Sequence, residues 1–172
     1  MKTTGLIGGM SWESSLEYYR IMNERIKEKL GGLHSAKCLM YSVDFAEMEE
    51  LQHQGRWDDL SRMMIEAARK LKNGGADFIV ICSNTMHSKA DSVQKSVDIP
   101  LLHLADATAA RIKTNGFRKV GLLGTRFTME KNFYKGRLRE KHGIEVITPG
   151  KTERQVLHRT IYEELCRGII RE

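Results

Sequence analysis

Short runs of β-branched and apolar residues alternate with longer amphipathic stretches along the whole 172-residue chain. The first run, Thr3 to Ile7, ends at Gly8-Gly9, and a helix is predicted to begin near Ser11. That helix sets Leu16, Tyr19, Ile26 and Leu30 at helical spacing and stops at Gly31-Gly32. Cys38 to Val43 is a second predicted strand. From Trp57 to Lys72, Leu60, Met63, Met64, Ala67 and Leu71 share one stripe, closed by Asn73-Gly74-Gly75. Phe78 to Cys82 is an uninterrupted apolar run, the pattern of a central parallel strand buried on both faces. Further strands are predicted at Leu101–Leu104, Val120–Leu123 and Glu145–Ile147, and a last helix from about Thr152 to Arg171. Alternation of this kind defines the α/β class, with parallel sheets, right-handed crossovers and ligands beyond the C-terminal ends of the strands. The methionine stripes suit core packing rather than cofactor contact.

Gly5-Leu6-Ile7-Gly8-Gly9 is echoed by Gly121-Leu122-Leu123-Gly124-Thr125, and Tyr19-Arg20 by Tyr134-Lys135. The echo predicts two pseudo-symmetric lobes, one over 1–98 and one over 99–172. A second copy of the segment from Phe78 to Thr85 would fall beyond Glu172. The second lobe is therefore expected to be incomplete.

Composition narrows the classes. With 41% hydrophobic and 29% charged residues, the chain has the balance of a globular domain rather than a disordered segment. It contains no 18-residue apolar run and no secretory h-region, so a cytoplasmic protein without a membrane partner is expected. Cys38, Cys82 and Cys166 are odd in number and lack a CxxC spacing, which suits reduced thiols. The net charge of +6 is interleaved with acids, as in EKLGG, EAARKLK and GRLREKHG. Solvated helix faces explain that pattern better than a nucleic-acid partner, and the surplus favours small anionic ligands. No His, Cys or acidic pair has metal-ligand spacing, so no metal is predicted.

Candidate chemistry concentrates at the strand ends. Cys82-Ser83-Asn84-Thr85-Met86-His87 follows the most apolar strand, where backbone N–H groups favour a carboxylate or phosphate. Asn84 and Thr85 add directional donors. The competing structural reading is a polar strand-to-helix turn with a core cysteine; a buried Cys82 thiol is no ready base, because burial raises its pKa. Gly8-Gly9-Met10-Ser11 is a second turn where a ligand can approach the backbone. A dinucleotide site with Asp44 as its ribose group competes, but the run is GxxGG rather than GxGxxG, and Asp44 lies too far along. The glycine turn recurs at Gly124-Thr125, followed by Arg126 and Thr128. Two mirrored turns suit one small ligand better than one dinucleotide. Gln52 and His53 fit equally a polar lid or a solvated helix end, while His103, flanked by apolar residues, fits a satisfied core histidine.

Several stretches together carry a family likeness: GLIGGMSWES (5–14), GGLHSA (31–36), YSVDFAEMEELQHQG (41–55), ICSNTMH (81–87), IPLLHLADAT (99–108), LLGTRFTME (122–130) and IYEELCRG (161–168). In these the chain resembles the aspartate/glutamate racemase family of amino-acid racemases. The resemblance implies a two-lobe α/β fold with its site in the cleft between lobes. It implies inversion at Cα without pyridoxal phosphate or any other cofactor, using two acid/base groups on opposite faces of an acidic amino acid. By the same resemblance Ser83 takes the first acid/base position. Asn84 and Thr85 take carboxylate-binding positions, Met10 and Gln52 substrate-lining ones, and Thr125 the matching turn of the second lobe. Cys82 and His87 are supporting residues.

The chain departs from the family pattern twice. Ser83 stands where cysteine is common, and a serine is a weak base unless a neighbour such as His87 or Cys82 activates it. The family's other cysteine, in a Gly-Cys-Thr-Glu-type segment, does not occur among these residues. The expectation is a member of the racemase family that is inactive or impaired at this length. The alternatives are a module that binds an acidic amino acid without turning it over, and a sister chemistry on a small diacid. A homodimer built by lobe pairing would cover an exposed sheet edge.

Overall fold

All five residues of β1 (Thr4–Gly8) are buried, because the strand lies inside a parallel sheet and not at its edge. The structure, a computed structural model, describes residues 1–171. It divides into two compact units, Met1–Ser83 with Lys89–Leu101, and Asn84–Ser88 with the chain from Leu102 onward.

In the first unit β1 leads to α1 (Trp12–Leu30), β2 (Cys38–Ser42), α2 (Phe45–His53), α3 (Trp57–Asn73) and β3 (Phe78–Ile81). A 3₁₀ turn at Thr85–Lys89 precedes α4 (Ala90–Ser96) and the short β4 (Leu101–Leu102). The strands order as β2-β1-β3-β4, with Thr4 in register with Cys38 on one side and Phe78 on the other. The α3 stripe follows its predicted spacing except at Met63, which is only partly buried. Leu60, Met64, Ala67, Ala68 and Leu71 are buried, and each large apolar side chain so placed contributes about 1.5–3 kcal/mol of transfer free energy.

Two expectations about this unit change, and the disfavoured ribose role of Asp44 finds no support. In β3, Ile79 and Ile81 are fully buried but Phe78 and Val80 only partly, so β1 and not β3 is the strand covered on both faces. The apolar stripe of α1 does not enter the core: its buried residue is Ser15, while Leu16, Tyr19 and Leu30 stay about half exposed. Leu16 and Tyr19 instead line a groove of about 430 Å³ with Trp12, Cys38 and Met40. Asp44 is the N-cap of α2, its carboxylate accepting the Ala46 N–H at 3.0 Å, which is a structural duty rather than a ribose contact.

The second unit runs through α5 (Leu104–Thr114), β5 (Lys119–Gly121), α6 (Arg126–Glu130), α7 (Asn132–His142), β6 (Glu145–Ile147) and α8 (Lys151–Glu163). β5 and β6 pair in parallel, Val120 opposite Val146. Ala105, Ala109, Tyr134, Leu138 and Ile144 form the buried core, with Val120, Leu122 and Val146 packed against it. The predicted strand Leu101–Leu104 stops at Leu102, because His103 turns the chain and caps α5. The predicted strand over Val120–Leu123 begins a residue early and stops at Gly121, although the Leu122 N–H still donates to the Ile147 carbonyl at 2.8 Å. The last helix ends at Glu163 rather than near Arg171. A 3₁₀ turn at Leu165–Arg167 follows, and Gly168, at φ 70°, takes the left-handed conformation that stops it. Among the described residues no helix is long and apolar enough to cross a membrane.

Candidate functional site

The glycine turn after β1 is shaped by crowding. Gly9 sits at φ 90°, and a Cβ there would lie 2.2 Å from the Val43 carbonyl oxygen, so only glycine fits. Its N–H donates to Ser15 Oγ at 2.9 Å, and Ser15 Oγ donates to the Ser11 carbonyl at 3.1 Å. Ser14 Oγ donates to the Cys82 carbonyl at 2.9 Å, joining the first turn of α1 to the end of β3. Ser14 and Ser15 were not among the expected site residues. Nothing in their spacing separates them from solvated helix serines. In this unit Met10 and Gln52 are both buried; Gln52 and His53 close α2, and a solvated helix end describes the exposed His53 but not Gln52.

Cys82 is buried, and loss of solvent pushes its thiol up to about 12. It is a protonated packing group at neutral pH, not a base. Ser83 follows it, partly buried, at the end of the strand.

The remaining expected residues belong to the second unit. Asn84 is exposed and its carbonyl accepts the His87 N–H at 3.2 Å. Thr85 is buried, and its Oγ1 lies 2.8 Å from Thr125 Oγ1 and 3.4 Å from Thr128 Oγ1. Thr125 Oγ1 is 3.2 Å from Thr128 Oγ1 and accepts the Thr128 N–H at 3.3 Å as the cap of α6. Three hydroxyls thus meet at one point. Each carries one rotatable proton, so together they can turn donors toward an incoming carboxylate. Thr128, fully buried, belongs to the second glycine-turn motif but not to the expected site; a polar residue between apolar Phe127 and Met129 is its only sequence signal. His87 is also buried, and its Nε2 accepts the Leu104 N–H at 3.1 Å.

Parallel strands followed by glycine and threonine turns place this chain in the α/β class. The chain belongs to the Asp/Glu/hydantoin racemase family, whose profile matches residues 7–170. It is 59% identical to a Yersinia pestis protein solved as a candidate Asp/Glu racemase, a match over 100% of this chain and 75% of that one, with a TM-score of 0.90. An aspartate racemase homologue from Pyrococcus horikoshii OT3 is 38% identical over 98% of this chain and 74% of its own, with a TM-score of 0.82. The broad specificity amino-acid racemase RacX of Bacillus subtilis (strain 168) is 31% identical over 90 residues, or 52% of this chain. That match spans 39% of the relative's own length. The expected α/β racemase-type fold and family are therefore both met.

Proposed function

We propose that the protein binds an acidic amino acid, aspartate or glutamate, and exchanges the proton on its Cα without a cofactor. The hydroxyl trio of Thr85, Thr125 and Thr128 carries this reading. A small carboxylate needs several directional donors in a partly dry place, and these residues supply them. Asn84, exposed beside Thr85, adds an amide. Neutralising a substrate carboxylate is also what makes a Cα carbanion accessible, because negative charge moves onto those oxygens as the proton leaves. In the first unit Met10 and Gln52 are the residues assigned to substrate contact, and Ser83 is the acid/base group.

One observation favours a second reading, binding without turnover. The Cys82 thiol, next to Ser83 in sequence, is protonated at neutral pH and cannot take the serine's proton.

One experiment separates the two. The α-proton signal of L- and D-aspartate and of L- and D-glutamate is followed by NMR in D₂O, with binding measured by calorimetry. Loss of the signal with wild type, but not with Ser83→Ala that still binds, supports racemase-type exchange. Binding without exchange in the wild type supports the binding module. No binding by either protein sinks both.

A further inference from the structure

The first turn of an α-helix leaves N–H groups without intrahelical partners, and in α5 every one of the first four is accounted for. Leu104 N–H donates to His87 Nε2 at 3.1 Å, and Ala105 N–H to His103 Nδ1 at 3.2 Å. Asp106 and Ala107 N–H donate to the His103 carbonyl at 3.0 and 3.3 Å. Two imidazoles therefore cap one helix. Both are buried, and their rings meet edge-on with centroids 4.6 Å apart.

A ring nitrogen that accepts a hydrogen bond carries no proton, so this geometry selects the tautomers with His87 Nε2 and His103 Nδ1 bare. An imidazolium at either place would lose its bond and face the positive end of the helix dipole. His87 also belongs to the turn it anchors. Its own N–H closes that turn on the Asn84 carbonyl, and Thr85 lies two residues before it.

We propose that His87 is a positioning residue: its neutral imidazole, by taking the Leu104 N–H, pins the Asn84–Ser88 turn to α5 and so holds Thr85 Oγ1 against Thr125 and Thr128. The consequence for ligand rests on the carboxylate-binding reading above; the pinning itself does not.

Leu104 allows the bond to be cut from either end. It is the first residue of α5, the one helical position where proline is tolerated, and the preceding His103 has the extended conformation (φ −79°, ψ 122°) that a following proline requires. Leu104→Pro removes the donor and keeps the helix, with Leu104→Ala as the control for the lost side chain. His87→Phe removes the acceptor, and His87→Gln returns an oxygen near the place of Nε2.

The first readout is amide hydrogen exchange over residues 84–88. Exchange should accelerate in His87→Phe and Leu104→Pro, and return toward wild type in His87→Gln and Leu104→Ala. Unchanged exchange in Leu104→Pro overturns the pinning, even if His87→Phe fails to fold. The second readout is aspartate affinity. The two cutting variants should each weaken it about tenfold, with the double variant no worse than either, since they remove one interaction. Accelerated exchange with unchanged affinity overturns the positioning role. A wild type that binds no acidic amino acid, but shows the expected exchange pattern, overturns the carboxylate reading and leaves the pinning standing.

Discussion

Thr85 and Thr125 are 40 residues apart in sequence, yet their hydroxyl oxygens lie 2.8 Å from each other, with Thr128 Oγ1 3.2 Å from Thr125. Thr125→Val preserves shape and removes one of the three hydroxyls. If the trio holds a carboxylate, affinity for aspartate falls about tenfold or more, the loss of one charge-assisted hydrogen bond. Calorimetric titration checks it, and unchanged affinity would show that the hydroxyls serve only one another.

Gly9→Ala tests the turn after β1. The new Cβ meets the Val43 carbonyl oxygen at 2.2 Å and the Val43 nitrogen at 2.6 Å, at a φ of 90° that alanine resists. Both obstacles are backbone, so neither yields cheaply. A loss of about 3 kcal/mol or more is expected from the clash and the strain together. It would appear as a lower urea midpoint at unchanged slope.

Asp106 gathers two cations and an imidazole. Arg137 Nε and Nη2 each donate to it at 2.7 Å, and Lys141 and His142 approach at 2.8 Å. The Arg137 guanidinium first, then His142 and Lys141, hold its carboxyl well below the ordinary carboxylate range. A lowered folded pKa contributes stability that is complete above that range and lost as the pH falls below it. Asp106→Asn should therefore destabilise by about 1–3 kcal/mol at pH 7. Denaturant titrations should show the gap from wild type narrowing as the pH is taken below 4, where the wild-type contribution drains.

His103 is also lowered, and acts over a higher pH range. Burial first, then the neighbouring His87, Arg137 and Lys141, lower it from 6.5 to about 3 against the opposing pull of Asp106. Unfolded, the ring takes a proton below pH 6.5; folded, it stays neutral until about pH 3. Across that window the unfolded chain binds the extra proton, so stability rises with pH. His103→Asn, which keeps an acceptor near the place of Nδ1, should flatten the dependence by up to one proton. Stability curves at pH 4.5 and 7 decide it, and parallel slopes for the two proteins would contradict the assignment.

Cys82 offers a chemical test. A buried thiol pushed up to about 12 is neither accessible nor ionised at pH 8. Iodoacetamide should leave it unlabelled in the folded protein and modify it in denaturant, as mass spectrometry of the Cys82 peptide would report. Labelling in the native state would mean an open strand end and a thiolate available for chemistry.

The elements that were legible had local causes. The α3 stripe, the glycine stops at Gly31 and Gly74, and the apolar run ending at Ile81 are patterns that a few neighbouring residues complete by themselves. Strand ends were less legible where a side chain intervened. His103 ends β4 by bonding a backbone N–H two residues on, a choice that apolar periodicity does not encode.

By itself the sequence determined the alternation of strands and helices, the parallel class of sheet, the glycine and threonine turns that follow the strands, and the family. Each follows from side-chain period, backbone freedom or a contiguous motif. Only the tertiary structure decided that Thr128 joins Thr85 and Thr125, that His87 bonds α5, that Asp106 serves Arg137, Lys141 and His142, and that the apolar stripe of α1 faces outward. These pairings join residues far apart along the chain. Sheet register and helix packing set them, and no local pattern records which distant partner a side chain will meet.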